Sequence, residues 1–477
     1  MNGNEALRPD LCILGASAAG LALAAAAAAQ GLSVVIVGKP MAADHLADIA
    51  PGQALRACGD LAATIGRAAY GTVPGRPAFQ FSRVAAHIAQ VEKALGPQYA
   101  QVRLEAMNVS VLKAPGRFVR PDAVEAGGRI VTARRFVIAA PAQMRAPAIP
   151  GLDLIRPLTA TDLAQLEAPP ERLIVLGGDS QGLAVAQGAR RLGAEVAVVA
   201  QTRILPGEDA EIVAPLRTQL MREGVVLREA SKILRIEPDG ARLRVFVTAL
   251  ATDETEGEIE TLEGSHLLLA LGASPALEGL GLAAAGVRFD AGGVEVDANL
   301  RSSNRRVYAI GATTGDAECE ARQILRHILA FASWFPAGRR RTPRVRAAWT
   351  DPQVASTGLS EAEARRRARR IRVLRWPYAA TDRAQIEGAT GGHVKLVTSA
   401  AGRILGAAIV GPGAGELINL YTLSICKGMY ASDLASIPLP YPSFSEAARA
   451  AALAFEARRP PAAWRFLRLL RLLRRST

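Results

Sequence analysis

Residues 11–38 read LCILGASAAGLALAAAAAAQGLSVVIVG, and their order decides the fold. LCIL has the texture of a buried strand and stops at Gly15. A helix of small residues follows, Gly31 ends it, and VVIV is a second strand, the opening strand–helix–strand of a dinucleotide fold. The same order returns at residues 173–200, LIVLGGDSQGLAVAQGARRLGAEVAVVA, where Gly193 plays the part of Gly31. One such unit is weak evidence, whereas two in one chain indicate two nucleotide-type domains.

A chain of 477 residues, half of them apolar, supports two or three domains without metals or disulfides. Cys12, Cys58, Cys319 and Cys426 are too far apart for a CxxC pair or a zinc site, so they read as reduced, intracellular thiols. His45, His87, His266, His327 and His393 show no metal spacing. The N-terminus MNGNEALRPD lacks the basic and apolar regions of an export signal, which points to the cytoplasm. A net charge of +13 invites a nucleic-acid reading, but no aromatic-interleaved basic motif accompanies it, so nucleic acid is not expected as a partner.

Residues 267–287, LLLALGASPALEGLGLAAAGV, and 294–316, VEVDANLRSSNRRVYAIGATTGD, read as a return that closes the first domain around an inserted second. From Arg344 strand-like runs alternate with helices, as in a separate α+β domain. The expected α/β architecture is thus a split Rossmann-like domain (residues 1–155 and 285–338), a second such domain (156–284), a C-terminal α+β domain (339–457) and a basic tail (458–477).

In this order, the pieces resemble the class I pyridine nucleotide–disulfide oxidoreductases, the family of dihydrolipoamide dehydrogenase, glutathione reductase and mercuric reductase. The likeness is strongest at TDPQVASTGLSEAEAR (350–365), DRAQIEGATGGHVKLV (382–397), GRILGAAIVGPGAGELI (402–418) and PYPSFSEAARAAAL (440–453). It implies FAD on the first domain, NAD(P)H on the second and a homodimer formed by the third. The active site then straddles two subunits, with Tyr441 to Glu446 reaching the partner's flavin.

Several of this chain's residues depart from that pattern. Gly15, Ser17 and Gly20 form the FAD turn, and Gly177, Asp179 and Gly182 the NAD(P) turn, so a carboxylate stands where a pyrophosphate would approach. The acids that bind ribose hydroxyls are replaced by Gly38 and Ala200, and the Gly-Asp pair that contacts FAD is Gly311-Ala312. Arg203 leans toward NADP. The redox helix resembles IAPGQAL, which puts Asp44 and Ile49 at the two cysteines and Gln53 at the flavin-facing lysine; Ala184 replaces its glutamate partner. Tyr441 takes the place of the catalytic histidine, beside Glu446, and with a reference pKa of about 10 it is a poor general base at neutral pH.

The resemblance therefore implies a FAD-dependent NAD(P)H oxidoreductase acting on a non-disulfide acceptor. The alternative is a catalytically degenerate member with a structural or heterodimerising role beside an active paralogue. In the tail, Arg465, Arg468, Arg471, Arg474 and Arg475 fall on one side of a helical wheel and Phe466, Leu469, Leu470, Leu472 and Leu473 on the other. Such a helix suits either the inner membrane face or docking on the protein itself.

Overall fold

The computed structural model describes residues 7–38, 44–66, 80–95, 101–143, 147–250, 257–272, 274–290, 292–311, 317–329, 343–368 and 370–457. The basic tail lies outside them. Among the described residues no helix is long and apolar enough to cross a membrane, and no three His, Cys, Asp or Glu side chains form a metal cluster. The chain divides into two compact units, Met1–Ile204 with Leu220–Arg341, and Leu205–Gln219 with Thr342–Thr477.

In the first unit, Leu11–Leu14 and Val34–Val37 bury every residue and pair in parallel. Apolar runs of this kind suit a parallel sheet covered on both faces. Arg135–Ile138 lies on the other side of Leu11–Leu14, with Val307–Ala309 and Val109–Leu112 at the two edges. Between the first two strands runs the helix Ala18–Ala28, whose alanines favour helix and leave a thin face for the sheet and for the helix Ala317–Leu329. A second parallel sheet is ordered Val226–Arg228, Glu195–Val199, Arg172–Leu176, His266–Leu269. Val307–Ala309 rejoins the first sheet only after this one is complete, so the second Rossmann-like domain is inserted in the first.

Two helices of this unit cross closely. A Cβ on Gly188 would lie 2.9 Å from the Arg56 Cα, and one on Gly59 would lie 2.9 Å from the Gly188 Cα. The crossing brings Asp44–Gly66 onto Ser180–Arg191, and Arg191 (side chain 3% exposed) pairs with both Asp60 and Glu223. A buried guanidinium needs such partners, because an unpaired one would lose its hydration uncompensated.

The second unit holds an antiparallel sheet in the order Val345–Ala348, Val354–Gly358, Ile404–Val410, His393–Ser399, Ile371–Pro377. Helices Ala414–Lys427 and Ser445–Ala457 cover it through Ile418, Tyr421, Ala448, Ala452 and Phe455. Lys395 (side chain 4% exposed) meets Asp209 at 2.7 Å, Glu211 at 2.6 Å and Glu361 at 2.8 Å. Burial works against its charge, but the three carboxylates outweigh it and hold its pKa above the ordinary lysine value. Segment Leu205–Gln219, read from the sequence as part of the second nucleotide domain, groups here with the C-terminal domain.

Candidate functional site

The two glycine turns are built by the same backbone bonds. Gly15 N–H donates to Val37 O and Gly177 N–H to Val199 O, both at 2.8 Å; Ala139 N–H donates to Leu14 O and Ala270 N–H to Leu176 O, both at 2.7 Å. Gly15 has φ +102°, and a Cβ there would lie 2.2 Å from Ala139 O; Gly177 has φ +121°, with Ala270 O at 1.7 Å. Both positions require glycine so that the chain can cross its own sheet, whether or not a nucleotide follows.

The helix amino ends differ. Ser17 caps the first helix, its hydroxyl accepting from Gly20 N–H at 3.3 Å. Asp179 caps the second, its carboxylate accepting from Gly182 N–H at 2.7 Å. Burial raises the Asp179 pKa, opposed by the Gly182 and Gln181 N–H groups that favour the charged form. Gly38 ends its strand with its N–H given to Leu112 O, so no side chain meets a ribose there. Ala200 and Ala184 are buried, and Arg203 is half-buried and engaged within the protein.

Gly311 is exposed, and its N–H donates to Glu320 Oε2 at 2.6 Å; Ala312 lies outside the described residues. Glu320, only 1% exposed and with further contacts of its own, was not singled out in the sequence. A Cβ on Gly311 would lie 3.9 Å from the Ala19 Cβ, which places this carboxylate's partner beside the first helix amino end. The signal that marks it is the acid run Asp316, Glu318, Glu320 around the start of helix Ala317–Leu329.

Positions 44 and 49 both fall in the single helix Asp44–Gly66, although their side chains are outside the description. Gln53 accepts from Arg56 Nε at 3.2 Å. Cys58 follows position 49 by nine residues, about half a turn out of phase at ~100° per residue, so it cannot stand in for a thiol there. Burial also raises the Cys58 pKa, which disfavours the thiolate.

In the second unit Tyr441 is 75% exposed, and its hydroxyl donates to Asp382 Oδ2 at 2.8 Å. That bond raises its pKa and makes it a still weaker base. Glu446 accepts from Ser443 N–H at 3.0 Å, which ties the first turn of its helix back to the segment before it.

Residues 9–337 match the pyridine nucleotide-disulphide oxidoreductase model, and residues 345–452 match that family's dimerisation domain. The chain belongs to this family. It is 31% identical to a mercuric reductase of Bacillus cereus over 72% of its own length and 55% of that protein's, and 33% identical to a dihydrolipoyl dehydrogenase of Thermus scotoductus over 72% and 74%. The solved structure of LpdA from Mycobacterium tuberculosis is similar at 26% identity with a TM-score of 0.79, covering 94% of this chain and 99% of that one. The family's members are FAD-dependent and work with NAD(P)H, and membership supports FAD as the cofactor.

The first turn fits FAD: its helix amino end is capped by a neutral hydroxyl, and the small residues Gly15, Ser17 and Gly20 would let a pyrophosphate approach that amino end without meeting a charge. A bound flavin supplies reversible two-electron chemistry. The second turn does not fit NAD(P)H, because a carboxylate of the chain already occupies the helix amino end, on the Gly182 N–H, where the phosphates would come.

Proposed function

We propose that this chain is a FAD-dependent oxidoreductase whose flavin takes two electrons from a reduced donor and passes them to a non-disulfide acceptor such as a quinone, a dye or oxygen. The helix Asp44–Gly66 carries this reading: Cys58 is its one thiol, out of phase with position 49, so no vicinal dithiol can relay electrons. The purified protein is expected to show flavin absorbance and no NAD(P)H-dependent reduction of lipoamide, oxidised glutathione or mercuric ion. A colourless protein that takes up no added FAD overturns the flavin part. Turnover of a disulfide that disappears in Cys58→Ser overturns the acceptor part.

A second reading, a catalytically degenerate member whose role is association, is favoured by Tyr441, which is paired with Asp382 rather than placed as a base. The dimerisation domain supports a homodimer. In that reading a mixed dimer with an active relative would lend Tyr441 and Glu446 to the relative's flavin site, and co-expression followed by mass measurement tests it. A cytoplasmic location, with the tail after Pro461 on anionic lipid, predicts vesicle binding that weakens with salt and is lost on truncation.

A further inference from the structure

The chain contains its own control for the second dinucleotide turn. Both turns make the same strand-to-turn hydrogen bonds and both need their first glycine, yet one helix amino end is capped by a neutral hydroxyl and the other by a carboxylate. The free N–H groups of a helix amino end are what such a turn offers to a pyrophosphate. Asp179, unlike Ser17, puts a charged group on the N–H at its helix amino end, that of Gly182, so an incoming pyrophosphate would have to displace a carboxylate or sit beside it.

The surroundings match a turn without a ligand. Ala184 is fully buried on the helix face that packs against Asp44–Gly66, and Gln53 of that helix is tied to Arg56. Ala200 is buried at the end of the next strand and offers a ribose no hydrogen bond. A Cβ on Gly178 would come within 3.1 Å of both the Ala200 Cβ and the Ile204 Cα, so the turn is also closely backed.

We infer that Asp179 is a built-in anion that closes the second turn, so that this chain does not take up NADH or NADPH. This goes beyond the flavoprotein reading, because it removes the family's electron donor while leaving the flavin turn intact.

The experiment titrates NADH and NADPH into the full-length wild-type chain, Asp179→Ser and Asp179→Gly, followed by calorimetry and nucleotide fluorescence. Circular dichroism melts identify which variants are folded. Asp179→Ser copies Ser17 and keeps a cap; Asp179→Gly removes both charge and cap. The wild type is expected to show no saturable binding up to roughly 1 mM, and Asp179→Ser to bind at least about tenfold more tightly than the wild-type limit. If Asp179→Ser does not fold, Asp179→Gly decides by the same criterion. Saturable binding by the wild type in the micromolar range overturns the inference, and so does equal failure of the wild type and a folded variant. Binding is read without turnover, so a colourless preparation, which would sink the flavin reading, leaves this result interpretable.

Discussion

Gly15 and Gly177 were legible in the sequence because the fold itself demands them: each sits at positive φ with a carbonyl oxygen where a Cβ would go. For the same reason they are poor reporters of a cofactor. Gly15→Ala is expected to destabilise the protein by about 3 kcal/mol or more, from strain and collision with Ala139 O, so lost flavin in that variant would not isolate a lost contact. Urea unfolding measures the cost. Ser17→Asp is the sharper change, since it keeps a capping side chain but places in the first turn the charge found in the second. It is expected to abolish FAD uptake while shifting the melting temperature by no more than a few degrees. Unchanged yellow colour would show that a carboxylate at this position does not close a turn. Asp179 could be read from the sequence as a charge, but its bond to Gly182 could not. Glu320 was invisible because its partner Gly311 lies nine residues away, with no local pattern to link the two.

Among the elements, the repeated strand–turn–helix units were plain from their apolar runs, and the phrases of the C-terminal domain from their likeness to a family. The placement of Leu205–Gln219 was not, because its tie to Lys395 spans 186 residues and carries no local pattern. That tie gives a testable pH dependence. The Lys395 hydrogen bond, helped by Arg365, lowers the Glu361 pKa from 4.5 to about 2. A carboxyl whose pKa is depressed on folding contributes stability that is fully present above its unfolded value of 4.5 and is lost as pH falls toward 2. Glu361→Gln is therefore expected to cost about 2 kcal/mol at pH 7 and much less near pH 3, read from denaturant midpoints; a gap independent of pH would contradict the pairing. Lys395→Met should cost roughly 3 kcal/mol at neutral pH, since it leaves three carboxylates without their shared cation.

For the molecule as a whole, the dimerisation domain predicts a particle of twice 50.1 kDa by light scattering, and a monomer at micromolar concentration would remove the association reading. The position of Lys395 also has a practical use. The chain has six lysines, of which Lys93, Lys113, Lys232 and Lys427 are exposed, while Lys395 is enclosed by carboxylates. An amine-acylating reagent will therefore modify the exposed lysines at once and reach Lys395 only when the C-terminal core opens. The slow phase of acylation, followed at that one peptide by mass spectrometry, becomes a clock for the breathing of the C-terminal domain in the intact protein.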